Sequence, residues 1–220
     1  MKSKRFFQLI TLVLALFVYL TPASAAQVAE AKAEAWTSQT GYKLIEALGN
    51  PDINSKYLML DNMFENDVDT LYLAKFVLGR YWKDLDDSQK ETYINLFKRY
   101  VLSLYKTYPL DFSTDGLDFV ILSAKINGNY TDVYCRINLP DDISQGTVKD
   151  IGLEFKLSND SGKIKIVDLK IGESSLLLTY RSRFNTMVKE AEEDMSWFLE
   201  DFELLVVSTE RHAKEQQDNM

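Results

Sequence analysis

Two carboxylates, Asp132 and Asp168, lie within runs of alternating apolar residues, the placement that a buried general acid or base requires. Paired acids also occur at Asp86-Asp87 and between Glu190 and Asp194, where general acid–base work or cation binding would need them. Both runs fall at helix ends or turns, so solvated surface accounts for them. Nucleophilic relays lack material. Cys135 is the only cysteine, and it shares the parity of Val133, Ile137 and Leu139, which reads as a small buried hydrophobe rather than a reactive thiol. It also leaves no partner for an internal disulfide. His212, the only histidine, lies in a polar terminal run, so neither a Ser-His-Asp or Cys-His relay nor a His-rich metal site can be assembled. No glycine-rich phosphate cradle and no CxxC pair occurs, and no metal or cofactor is expected. Asn129-Tyr130-Thr131 matches a glycosylation sequon, a pattern short enough to arise by chance.

The elements that must position these residues divide by period. Residues 27–48, 54–66, 68–83 and a segment from Asp86 or Ser88 to Tyr108 repeat their apolar positions at helical spacing, with Gly49-Asn50-Pro51 and Pro109 as stops. Beyond Pro109 the period becomes two. Strands are predicted at 117–126, 130–139, 147–157 and 163–171, with hairpin signals at Asn127-Gly128-Asn129 and Asn159-Asp160-Ser161-Gly162 and a loop at 140–146. The last strand organises the rest. Ile164 and Ile166 fall on one parity and Val167, Leu169 and Ile171 on the other, which calls for a bulge or for a strand apolar on both faces. Gly172-Glu173 then bends the chain, Ser174 can cap, and Leu177, Tyr180, Phe184 and Val188 open a helix to about 190. A final helix spans about 194–212. The expected fold is α+β: about six helices layered on a four-stranded, twisted antiparallel sheet with one wet face.

The chain has 220 residues, 46% of them hydrophobic and 12% aromatic, enough for one sizeable core. Lys2, Lys4 and Arg5, an apolar run from Phe6 to Leu20 and the small residues Ala23-Ser24-Ala25 read as a signal peptide cleaved after Ala25. The run is short for a bilayer span. Residues 26–208 then form one domain, 209–220 a flexible polar tail, and the expected location is an extracytoplasmic space. No cysteine follows the apolar run to carry a lipid anchor. Formal net charge is -8, from 25 basic and 33 acidic side chains; without the three basic residues of 1–25 it becomes -11. Such a surface repels nucleic acid and anionic membranes alike. What stands out is apolar mass, with three Trp, 12 Tyr and 12 Phe. A sheet face and bulky helix faces enclose a pocket wherever they fail to interdigitate.

Phe76-Val77-Leu78-Gly79-Arg80-Tyr81-Trp82, followed by Asp86-Asp87-Ser88-Gln89 and the aromatic run from Tyr93 to Tyr105, resembles the helical half of the MlaC family, also called the toluene-tolerance auxiliary family. Lys163-Ile164 through Asp168, then Ser175-Leu176-Leu177-Leu178-Thr179-Tyr180-Arg181-Ser182-Arg183-Phe184, is similar to that family's second signature. Where such families often open the last helix with glycine, this chain has Ala191-Glu192-Glu193-Asp194. The resemblance implies a nuclear-transport-factor-like fold with an internal apolar cavity. It further implies a soluble periplasmic carrier of two-chain phospholipid, working between an outer-membrane lipoprotein–porin complex and an inner-membrane ABC transporter with its substrate-binding MCE protein, and so maintaining outer-membrane lipid asymmetry. No enzymatic activity is implied.

On that reading the acyl chains lie between sheet positions Phe119, Ile121, Val133, Ile137, Leu153 and Phe155 and helix positions Phe76, Val77, Phe97, Tyr100, Val101, Leu104, Leu177, Tyr180 and Phe184. Arg80, Arg181 and Arg183 are candidates for a headgroup phosphate. Alternatives are a hopanoid or other isoprenoid cargo, an enzyme on a nuclear-transport-factor-like cone using Asp132 or Asp168, and a non-transporting adaptor with a packed core.

Overall fold

The computed structural model describes residues 27–108, 110, 113–140, 149–159 and 162–218. The expected signal peptide, Pro109 and most of the 140–146 loop lie outside the described residues.

Alternation after residue 117 becomes an antiparallel sheet in simple chain order. Its strands are β1 (Asp118–Asn127), β2 (Tyr130–Asn138), β3 (Asp150–Ser158), β4 (Lys165–Ile171) and β5 (Ser174–Ser175). Among the described residues the sheet therefore has five strands rather than four. β5 pairs Ser174 with Ile171 and Ser175 with Lys170 across the two-residue Gly172-Glu173 bend, and two residues are too few for alternation to register. Gly128 and Gly172 open their hairpin loops at φ 60° and 59°, a conformation that glycine alone adopts freely. The phase slip in β4 is a bulge: Lys156 pairs with Asp168 and Leu157 with Ile166, leaving Val167 as the extra residue. Cross-strand pairs Val133–Phe155–Leu169 and Cys135–Leu153–Ile171 put these side chains on one face.

Among the described residues, six α-helices accompany the sheet: α1 (Glu30–Gly49), α2 (Ile53–Asp67), α3 (Thr70–Leu78), α4 (Asp87–Leu104), α5 (Leu176–Glu190) and α6 (Met195–Asp218). Short polar side chains set their starts. Asp52 accepts from the Ser55 amide at 2.8 Å and Asp69 from the Tyr72 amide at 2.9 Å. Asp86, not Ser88, caps α4, in a reciprocal box with Gln89. Ser175, not Ser174, caps α5 by accepting from the Leu178 amide at 3.0 Å. The predicted helix at 68–83 is broken at Gly79, where α3 gives way to a 3₁₀ turn, Gly79–Lys83. At the other end α6 runs past His212 to Asp218, because Thr209 and Ala213 are buried against the body of the protein.

Two apolar clusters hold these elements. One is helical, from α3, α4, α5 and α6, around the contacting rings of Tyr93, Phe97, Tyr100, Phe184, Phe198 and Phe202. The other joins α1 to the sheet through Val28, Ala33, Phe119, Val133, Phe155 and Leu157. α1 lies close to β1 because Gly41 has no side chain: a Cβ there would come within 2.4 Å of the Phe119 ring. The Thr131 hydroxyl donates to the Val28 carbonyl at 2.7 Å and fixes the helix start.

Candidate apolar binding site

Between the two clusters lies a recess of about 250 Å³. α3 contributes Leu73 and Val77, α4 Phe97 and Val101, and α5 Leu176, Leu177 and Tyr180. Phe155 of β3 and Ile166 and Leu169 of β4 form the sheet side, with Phe64 and Val68 from the end of α2 completing the wall. The bulge matters here. By placing an extra residue at Val167 it brings both Ile166 and Leu169 to the recess, and Val68 bridges to Ile166, with the Asp69 amide donating to the Ile166 carbonyl at 3.0 Å.

Asp168 is the one ionisable carboxylate in the lining, 8% exposed, and its oxygens are already engaged. Oδ2 accepts from the Ser175 hydroxyl at 2.7 Å, and Oδ1 accepts from the amides of Leu177 and Leu169 at 3.1 and 2.8 Å. It thus holds the first turn of α5 on β4. Asp132 takes the Lys156 ammonium at 2.5 Å and the Asn127 amide at 2.9 Å, away from the recess. The Tyr180 hydroxyl is held protonated, its pKa raised first by burial and then by nearby Tyr100 and Tyr108, with Arg183 acting in opposition. Cys135 is fully buried, and burial pushes its thiol up to about 12, which disfavours the reactive thiolate. Among the described residues there is no cluster of His, Cys, Asp and Glu able to hold a metal, and no helix is long and apolar enough to cross a membrane.

The recess brings together Val77, Phe97, Val101, Phe155, Leu177 and Tyr180 of the candidate positions. The others sit elsewhere. Tyr100 and Phe184 are consumed by the helical core, with Leu104 packed against it. Phe119 lies under α1, and Val133, Ile121, Ile137 and Leu153 belong to the same sheet cluster. Phe76 stacks on Tyr72, ring centroids 6.0 Å apart. Phe64, Val68, Leu73, Ile166, Leu169 and Leu176 also line the recess and are not among the candidate positions; of these, Ile166 and Leu169 carried a signal, since they flank the parity slip.

The three arginines differ. Arg80 pairs with Glu193 at 3.0 Å and donates to the Tyr81 hydroxyl at 2.7 Å. Arg181 lies over the Phe76 ring at 4.7 Å and against Gly79 at the end of α3, where a helix C-terminus favours a cation. Arg183 lies 5.8 Å from the centre of the Tyr100 ring and, among the described residues, joins no ion pair.

A sequence model of the family described as MlaC protein matches residues 40–201. The chain belongs to the MlaC family. Among solved structures, a phospholipid-binding protein from Ralstonia solanacearum, determined in complex with a phospholipid, shares the fold of this MlaC-family chain. The match has a TM-score of 0.63 at 13% identity and covers 86% of this chain and 99% of the other. No curated protein matches the chain.

Proposed function

We propose that this MlaC-family protein is a soluble periplasmic phospholipid carrier, which encloses acyl chains and ferries lipid between an outer-membrane lipoprotein–porin complex and an inner-membrane ABC transporter with its MCE protein, so maintaining outer-membrane lipid asymmetry. The observation that carries this reading is a recess walled by apolar side chains at the seam of two well-packed clusters, in a fold shared with a phospholipid-bound protein. The energetic need is large. Each methylene exposed to water costs about 0.8 kcal/mol, so two chains with about 30 methylenes cost on the order of 24 kcal/mol, which forbids free diffusion. Because the hydrophobic effect is nondirectional, the walls need no register with a particular tail, and a hopanoid would be held by the same force.

The enzyme reading has its best candidate in Asp168, which does reach the recess. Its oxygens accept three hydrogen bonds, two from groups that build the α5 start and one from the Leu169 amide of β4, a structural assignment that supports a carrier.

Gently purified protein is expected to release phospholipid in mass spectrometry and to move labelled phospholipid between vesicle populations. Val101→Trp, which takes up part of the recess, is expected to cut bound lipid about tenfold while the protein still folds, since bulk added to unfilled space avoids most of the ~1–3 kcal/mol of overpacking. Release of only isoprenoid would change the cargo. Absence of any long-chain lipid, with none loadable, would overturn the carrier reading.

A further inference from the structure

α3 and α4 share a second depression that has no residue in common with the recess. α3 gives Leu73 and Val77 to the recess but Leu71 and Lys75 to an outer groove of about 550 Å³, and α4 gives Phe97 and Val101 to the one but Ile94 and Lys98 to the other. The groove floor is Leu71, Trp82 and Ile94. It is apolar and open to water: Leu71 is 46% exposed, and Trp82, backed by the Tyr93 ring at 6.2 Å, is half-buried.

Lys75, Lys90 and Lys98 stand along this floor, against the lining carboxylates Asp87 and Glu91. Their charges are loosely held. Lys75 lies 5.3 Å from the centre of the Trp82 ring and, among the described residues, joins no ion pair. Lys90 pairs with Asp87 at 3.2 Å and Lys98 with Glu65 at 2.7 Å, but both pairs are open to solvent, and such pairs are exchanged at little cost. The surroundings point the same way. Residues 68–108 carry seven basic and five acidic side chains, whereas the rest of 26–220 carries 15 and 28. A net positive stretch in a strongly acidic molecule thus frames an uncovered apolar floor.

We propose that this groove docks a helix of a partner protein whose apolar stripe is flanked by acidic side chains. Two helices packed side by side leave a furrow into which a third fits by its ridges. From Asp87 to Lys98 α4 runs about 16 Å, room for three turns, and Lys90 and Lys98 stand about 12 Å apart along it, so acids two turns apart on the incoming helix meet both. Trp82 supplies the rigid aromatic area that dominates such contacts. The field of the whole molecule repels an acidic partner everywhere else, so charge also orients the encounter. The proposal goes beyond the carrier reading, and neither depends on the other. α6 displays a face of the same chemistry, with exposed Trp197 and Leu204 among Glu200, Asp201 and Glu203, which makes a second copy the competing occupant.

The test uses two labelled synthetic helices of about 14 residues, each with leucines along one face, flanked in one peptide by glutamates and in the other by lysines, titrated by fluorescence anisotropy. On net charge alone, a chain at -8 favours the lysine peptide. The groove predicts the reverse, with the glutamate peptide bound about tenfold more tightly and the preference shrinking as salt rises. Lys75→Glu combined with Lys98→Glu should abolish the preference, Leu71→Ser should weaken both peptides, and Lys32→Glu, an equal charge change on exposed α1, should leave the preference intact. Tighter binding of the lysine peptide, equal binding, a preference that survives the double variant, or no binding of either peptide at ~1 mM overturns the proposal. Sedimentation of the protein alone should show a monomer. Self-association that the double variant abolishes would seat a second copy in the groove and overturn the foreign partner.

Discussion

Glu192 and Glu193 hold left-handed backbone angles, φ 53° and 62°, a conformation that favours glycine. The reason is the end of α5. The Glu193 amide donates to the Val188 carbonyl at 2.9 Å and the Glu192 amide to the Lys189 carbonyl at 3.1 Å, a Schellman closure that puts Glu192 at the position glycine favours. A side chain in that conformation costs about 1–2 kcal/mol, which the closure and the packing of α6 must offset. Glu193 has compensation, since it accepts from the Tyr81 hydroxyl at 2.8 Å and pairs with Arg80. Among the described residues Glu192 has no partner of this kind, so Glu192→Gly is expected to stabilise the protein by about 0.5–1 kcal/mol, the strain relieved less the extra freedom of glycine in the unfolded chain. Urea denaturation checks this. A lower midpoint would mean that the glutamate is favoured there by a contact outside this turn.

The junction of β4 with α5 shows how an element is placed by a single side chain. Asp168 follows the bulge, accepts from Ser175 and from the second amide of α5, and so substitutes for one of the partners a helix start lacks. Asp168→Ala would leave the Leu177 amide and the Ser175 hydroxyl short of a partner in a buried place, at a cost of about 2 kcal/mol and a fall of about 4–8 °C in melting temperature. Asp168→Asn keeps one acceptor oxygen and is expected to fall between. A melting temperature unchanged by Asp168→Ala would remove the capping role. The need for a bulge was legible in the parity slip between Ile166 and Val167, and the hairpins in their glycines, because such signals are local. The extent of the recess was not. Phe119 and Phe155 are both strand phenylalanines in the same cluster, their ring centroids 6.3 Å apart, yet Phe119 is covered by α1 while Phe155 faces the recess. The difference is made by Gly41 on a distant helix, and no periodicity within β1 encodes it. Val68 joins the site through one bridge to Ile166, too small a feature to have a period.

At the scale of the molecule, tyrosines rather than acids set the pH at which the two clusters come apart. Burial raises the pKa of Tyr93 and Tyr100, which are 0% and 1% exposed in the helical cluster, and also those of the half-buried Tyr72, Tyr105 and Tyr180. Their folded values lie above 10, the unfolded one. Stability from this source is therefore complete below about pH 10 and is lost above it, where the unfolded chain releases phenolic protons that the folded chain retains. Each fully buried phenol adds up to about 1.4 kcal/mol per pH unit, so Tyr93 and Tyr100 together approach about 3 kcal/mol per unit, a large share of the ~5–15 kcal/mol that holds an ordinary domain. Urea midpoints are expected to fall steeply from pH 10 to 11, with the phenolate absorbance of the buried rings rising in step with loss of circular dichroism. Tyr100→Phe should make that fall shallower by removing one linked proton, and at little cost in bonding because its hydroxyl has no acceptor to lose. If all tyrosines ionise while the circular dichroism remains native, water reaches those hydroxyls, and the seam between the clusters is open where the packing of Tyr93 and Tyr100 requires it closed.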